Sequence, residues 1–357
     1  VSSPTFLPSH NFMEVIPEIE KSEVFKILHM PKGAVLHAHG SAIASLHYRF
    51  NNLAYRENLY VCDKNSILRL KFFDVPSNDC NWELLSKKIK RSMTMVTENP
   101  NSVYNTVDKA WEKFDSVFKA WKFLISYRLF FEDLHYRNLQ ELYEDNVMYA
   151  EIRSTLSSIY DLDGKTFVKN HPDFIGAKII YAPRRLVNQE RLRRHYPDFI
   201  AGFDLVDQKD KGKSLSELSD KLSTVEPGIP FFFHAGDEMV RNVDRLESLR
   251  CFLAQHQTHQ PRVLGLVEDM RNHPAASLFA SGSPVMVSND DPGIIMSIMS
   301  VNSDLRSLKQ LTINSLTYSS LSKRQQRSAL GKCQVKWDVF VAKLANNVAQ
   351  IKLITTN

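Results

Sequence analysis

At 357 residues, 43% hydrophobic and 24% charged, the chain suits one large α/β domain or two small ones and has enough apolar side chains for a sizeable core. Its 21 Phe and 12 Tyr exclude a disordered class. A net charge of +5 does not select a polyanionic partner, and no apolar run reaches the length of a transmembrane helix.

The chain opens on Val, as expected of a processed form without its signal peptide or of a trimmed chain. The run 34–39 is apolar almost throughout and reads as a buried parallel strand ending in His37-Ala38-His39. Residues 55–95 break the pattern and read as an insertion containing Cys62, Cys80 and an apolar run at 67–75. The two cysteines either close it as a disulfide, worth about 3 kcal/mol, or stay as thiols. With Cys251 and Cys333 they form no CxxC or zinc-ribbon spacing.

Further on, 103–143 carries Trp111, Phe114, Phe118, Trp121 and Leu124 at three- and four-residue spacing, a core-facing helical stripe. Apolar runs at 147–153, 175–181, 199–206, 229–234 and 284–288 read as further buried strands, and 304–321 and 323–351 as closing helices. Strands alternating with helices predict an α/β fold on a parallel sheet. The cluster Arg184, Arg185, Arg191, Arg193 and Arg194 reads as a solvated helix face; a polyanion site is the alternative, without aromatic interleaving to support it, so no nucleic acid is expected.

Three strand ends carry chemistry. His37 and His39, two apart on a strand, share one side of it. Phe231-Phe232-Phe233 runs into His234, then Ala235, Gly236, Asp237 and Glu238, while Val285-Met286-Val287-Ser288 runs into Asn289, Asp290 and Asp291. Each motif alone has a bland reading: structural histidines, a capping histidine, an Asx turn. Two adjacent carboxylates, however, repel each other unless a cation or donors offset them. Active sites of parallel barrels gather at the C-terminal ends of strands. There, three imidazoles and a carboxylate make an N/O donor set suited to Zn²⁺ with one open position, which is what a hydrolytic metalloenzyme requires.

The ordered motifs 30–39 (MPKGAVLHAH), 149–153 (YAEIR), 201–206 (AGFDLV), 234–236 (HAG) and 288–292 (SNDDP) resemble the adenosine deaminase family, in particular its secreted branch, the adenosine deaminase-related growth factors. The resemblance runs from about residue 16 to 343. It implies a TIM-type (β/α) barrel of the metal-dependent hydrolase kind, as one domain over 1–357 with an inserted subdomain at about 55–95 like one peculiar to that branch. It implies one Zn²⁺ held by His37, His39, His234 and Asp290, with Asp291 against the purine, and hydrolysis of adenosine to inosine and ammonia. It further implies extracellular localisation, adenosine or a related nucleoside as ligand, and a cell-surface partner for a growth-factor-like role. Against secretion, the sequence has no N-x-S/T sequon.

The departures fall on catalytic positions. The family's proton-donating Glu is Asp237 here, followed by Glu238, and a carboxylate displaced by about 1 Å can cost about 10²-fold in rate. The RxGHG histidine has no counterpart; His256 and His259 lie in a polar stretch, 255–260, that follows no strand, and are expected at the surface. Asp207 replaces a purine-contacting Gly, and Gly40 stands where the branch has an Asp close behind HxH. Only 55 residues separate His234 from Asp290, whereas three βα units at about 30 residues each need about 90. The region of strands six and seven therefore reads as shortened, in the protein or in its gene model. Two functions follow: a zinc-dependent adenosine deaminase of weakened or lost activity, or a catalytically silent secreted relative that keeps zinc and binds a nucleoside or protein partner. A cytidine-type deaminase is excluded, since P-C-x-x-C is missing.

Overall fold

The computed structural model describes residues 29–53, 58–64, 67–73, 75–85, 93–125, 128–154, 174–182, 200–206, 230–232, 255–257, 285–288 and 305–355. Among them, β1 (Gly33–His39), β5 (Val147–Ser154), β6 (Gly176–Tyr181) and β7 (Ile200–Phe203) form a four-stranded parallel sheet in that spatial order. Phe231 extends it through a parallel bridge to Phe203. Two short strands, β8 (Gln255–Gln257) and β9 (Met286–Ser288), pair in parallel. The Ser288 hydroxyl donates to the His37 carbonyl and so brings β9 against β1. A smaller antiparallel sheet, β2 (Leu59–Lys64), β3 (Ile67–Phe72) and β4 (Glu83–Leu84), lies in the sequence between β1 and β5 in the order β3-β2-β4.

Four long helices accompany the strands: α1 (Val107–Ile125), α2 (Arg128–Glu144), α3 (Leu305–Thr317) and α4 (Lys323–Thr355). The 103–143 stretch is thus split between α1 and α2, with the aromatic stripe wholly on α1. Phe114, Trp121 and Leu124 are buried and Trp111 and Phe118 partly so, as their spacing requires. Asn146 ends α2 with a positive φ of 62°, the left-handed conformation that asparagine tolerates at a helix C-terminus, and β5 starts at the next residue. Its backbone carbonyl accepts from Lys32 N–H at 3.2 Å, which aligns β5 with β1.

The core has three parts. Leu59, Val61 and Leu70 of the small sheet pack with Phe50, Phe114, Trp121 and Phe130. Ala34 and Leu36 of β1 pack with Met148, Tyr149, Met286 and the closing helices through Leu308, Leu316 and Trp337. Val35 and Ala38, on the other face of β1, pack with Ala150, Ile152 and Leu142 of α2. α3 is also hydrogen-bonded to β1: Ala34 N–H donates to Ser315 Oγ at 2.8 Å, and Thr312 Oγ1 donates to the Pro31 carbonyl at 3.1 Å.

One strand is absent from the sequence reading: 255–257 is β8, in register with 286–288. Backbone pairing along β9 makes a strand of Gln-His-Gln despite its polarity; strand propensity yields readily to such context. Among the described residues no helix is long and apolar enough to cross a membrane.

Candidate active site

The C-terminal end of β1 owes its geometry to one extra residue. Between Val35 and Ala38 the strand advances three residues while β5 advances two, from Ala150 to Ile152. Such a bulge changes which side chains face which way. Strict alternation from Ala34 and Leu36 would put Ala38 on their face; instead Ala38 joins Val35 in the cluster under α2. His37 and His39 alternate with Ala38 and therefore take the opposite face, that of Leu36. His37 is buried and His39 partly so, with ring centroids 5.7 Å apart and planes at 67°.

The chain leaving His39 is held by α2. Gly40 N–H donates to the Arg153 carbonyl at 2.9 Å. Asn138, fully buried, donates through Nδ2 to the Gly40 carbonyl at 2.7 Å and accepts through Oδ1 from Ala44 N–H at 2.8 Å. Glu141 accepts from Ser45 N–H and Oγ at 2.6 and 2.8 Å and pairs with Arg137 at 2.8 Å. A Cβ at position 40 would lie 3.0 Å from Ile152 Cγ2 and 3.1 Å from His135 Nε2, so the Asp of the resembled branch would require these side chains to give by a few tenths of an ångström. Burial lowers the pKa of His135 to about 4, although its Nδ1 lies 2.9 Å from the Phe131 carbonyl.

Inside the sheet, β5 presents Tyr149, Glu151 and Arg153 on one face. Arg153 and Asp204 are both fully buried, and Arg153 Nε donates to Asp204 Oδ2 at 2.6 Å. The same guanidinium donates through Nη1 to the Leu36 carbonyl at 2.8 Å and through Nη2 to the Phe232 carbonyl at 3.3 Å. Asp204 Oδ1 accepts from Leu205 N–H at 2.7 Å. Glu151 is fully buried and accepts from Ser320 N–H at 2.6 Å; burial raises its pKa despite that bond. Burial also raises the pKa of Tyr149, whose hydroxyl lies 3.0 Å from Ser320 Oγ.

Of the residues expected to act, His37 and His39 are brought together at the end of β1. His234, Asp237, Glu238, Asp290, Asp291, Asp207 and the arginines at 184–194 lie outside the described residues. The described chain approaches three of them: Phe232 N–H donates to the Phe203 carbonyl at 2.8 Å two residues before His234, Ser288 bonds β1 two residues before Asp290, and Val206 precedes Asp207. Among the described residues no group of three or more His, Cys, Asp or Glu is placed to hold a metal. The imidazole pair itself fits one: two rings on the same face with centroids 5.7 Å apart leave room for an ion bound at about 2.0–2.1 Å from a nitrogen of each. The two cysteines of the small sheet are joined as the disulfide Cys62–Cys80.

Sequence reasoning named no role for Arg153, Asp204, Asn138 or Ser288. A signal existed for the first two, since a charge inside an otherwise apolar strand run is costly to bury without a partner. Asn138, on a helix with polar neighbours, carried no such mark.

No family model matches the chain. Among curated proteins, adenosine deaminase 2-A of Danio rerio is 34% identical over 94% of this chain and 85% of its own length. Adenosine deaminase 2 of Homo sapiens is 33% identical over 95% of this chain and 84% of its own. The chain belongs to the adenosine deaminase family. Within that family it falls with the adenosine deaminase 2 branch, the adenosine deaminase-related growth factors. The alignment to the Danio rerio relative spans 426 positions, more than the whole 357-residue chain, so the relative carries segments that this family member lacks.

Solved structures agree on the fold. Adenine deaminase from Arthrobacter aurescens matches with a TM-score of 0.60 at 14% identity, covering 85% of this chain and 98% of its own. An amidohydrolase from Burkholderia ambifaria, solved with bound Zn, matches with a TM-score of 0.57 at 15% identity, covering 93% and 97%. The parallel strands described here are those of a TIM-type deaminase barrel.

Proposed function

We propose that the chain is a zinc-dependent deaminase of adenosine or a closely related nucleoside, acting extracellularly, with turnover well below that of its family. The observation that carries this reading is the imidazole pair at the end of β1, on the face to which the bulge turns it, with β9 hydrogen-bonded alongside. His37, His39, His234 and Asp290 are the residues to hold the ion. Bound there, zinc would lower the pKa of a water to about 7 and make it a nucleophile at neutral pH.

The chain's own residues do the rest. Asp237 or Glu238 moves protons between water and the purine, and Asp291 orients the base by accepting from it. Asp207 places a carboxylate on the base side where the family has glycine. The reduced turnover follows from Asp237, whose carboxylate sits one methylene nearer the backbone than the family's glutamate, and from the missing histidine. A general acid–base group is worth about 10²–10⁴-fold. The names of the relatives and the zinc of the Burkholderia ambifaria structure support the substrate class and the metal.

The test is zinc content together with the loss of adenosine absorbance, on the wild type and on Asp237→Glu. Stoichiometric zinc, slow turnover and a gain of up to about 10²-fold in the variant are expected. Turnover already at family level would refute the impairment. Zinc without turnover in either protein favours the second reading, a catalytically silent relative that keeps the ion while binding a nucleoside or a cell-surface partner. Preparations free of zinc after chelator-free purification contradict both.

A further inference from the structure

We infer that Arg153 is a positioning residue that sets the spacing of the histidine-bearing strand ends, an inference that rests on the metal reading above. Its guanidinium ties its own strand to three other parts of the barrel wall at once. It stands on β5, donates to the carbonyl of Leu36 on β1 at 2.8 Å, to that of Phe232 at 3.3 Å, and pairs with Asp204, just past β7, at 2.6 Å. Leu36 is the residue before His37, and Phe232 stands two before His234. One rigid planar fork therefore spans the backbone that leads into two of the proposed ligand strands.

The surroundings make the fork selective. Asp204 holds the guanidinium plane from one side and is itself held by Leu205 N–H at 2.7 Å and, through its own N–H, by the Tyr181 carbonyl at 2.9 Å. Gly202 lets the 230–232 segment close on β7: a Cβ there would come within 2.3 Å of the Pro230 carbonyl oxygen and 2.4 Å of the Phe232 ring. Lysine, a point charge on a flexible stem, cannot span both carbonyls and the carboxylate with fixed angles. Groups that orient metal ligands from behind typically change metal affinity 10–100-fold when replaced.

The experiment measures zinc affinity of the full chain by competition with a chromophoric chelator, alongside the unfolding midpoint and far-ultraviolet circular dichroism. The variants are Arg153→Lys, the apolar double replacement Arg153→Met with Asp204→Leu, and Val117→Ala as a destabilised control in the core beneath the small sheet. The double replacement removes the buried charges together, so it should regain stability relative to Arg153→Met alone. Expected is a 10–100-fold weaker zinc affinity in Arg153→Lys and in the double variant, with Val117→Ala at the wild-type value. A folded Arg153→Lys with wild-type zinc affinity overturns the inference, as does a double variant whose affinity returns with its stability. Should the double variant not fold, Arg153→Lys decides alone. Wild-type protein that takes up no zinc overturns the metal reading and this inference with it, whereas failure in the variants alone overturns only the role of Arg153.

Discussion

The parallel sheet keeps its charges inside, while the small antiparallel sheet keeps aromatic side chains half outside. In the first, Arg153 and Asp204 meet with no exposure at all, and the guanidinium hydrogen-bonds carbonyls on both sides of its strand. In the second, Tyr60, Phe73 and Trp82 form an edge-to-face row with centroids 6.0 and 4.9 Å apart, each only partly buried, beside a disulfide. The barrel wall is covered on both faces, so a polar fork buried there loses its water and must be fully satisfied, and once satisfied it specifies the spacing of strands. A three-stranded sheet with one face against α1 cannot bury enough surface to hold itself, and a covalent link makes up the difference.

Breaking the fork from its acidic side should produce the largest effect. Asp204→Ala leaves Arg153 charged and unpaired in the interior and is expected to cost about 3–5 kcal/mol in denaturant unfolding. A loss below about 1 kcal/mol would mean that water reaches the guanidinium. Opening the staple comes next. Cys62→Ser with Cys80→Ser should cost about 3 kcal/mol, concentrated in the amide exchange of Leu59–Lys64 and Ile67–Phe72 while Gly33–His39 and Val147–Ser154 keep their protection. Equal loss of protection in both sheets would show the two to be one cooperative unit.

Two titrations sharpen the same contrast with smaller effects. His135 packs against Gly40 as a neutral imidazole whose pKa falls from 6.5 to about 4 on burial. Its folded pKa is the lower one, so its contribution is present above pH 6.5 and lost as pH falls toward 4. The variant His135→Leu should lack that acid-side loss; an unchanged pH profile would remove His135 as its source. Glu151 has the opposite sign. Its pKa is raised above 4.5, chiefly by burial, so the wild type loses stability as pH rises past that value. Glu151→Gln, still able to accept from Ser320 N–H, should flatten this part of the profile in thermal melts. A variant that melts earlier than the wild type at every pH would show that the carboxylate is held ionised.

Much of this could be read from residue order. The strand at 34–39 with its two histidines, the strands at 147–153 and 175–181, the stripe on α1 and the closing helices appear within a few residues of where periodicity puts them. Such elements are legible because burial on both faces leaves a continuous apolar run and burial on one face a helical period. β8 was not legible: Gln-His-Gln has neither pattern, and its strand character comes from the partner alone. The likeness of HxH, HAG and SNDDP to the deaminase motifs carried the family, and the curated relatives bear it out.

The identities and order of the metal-binding candidates are thus properties of the sequence, because ligand chemistry resides in side-chain type and spacing. Which face His37 and His39 occupy is not, since a one-residue bulge reverses the alternation and only the pairing of β1 with β5 reveals it. The grip of Asn138 on the turn after β1 and of Arg153 on two strand ends belongs to the tertiary structure alone. Their partners are backbone carbonyls and amides, which every residue possesses and no sequence pattern distinguishes.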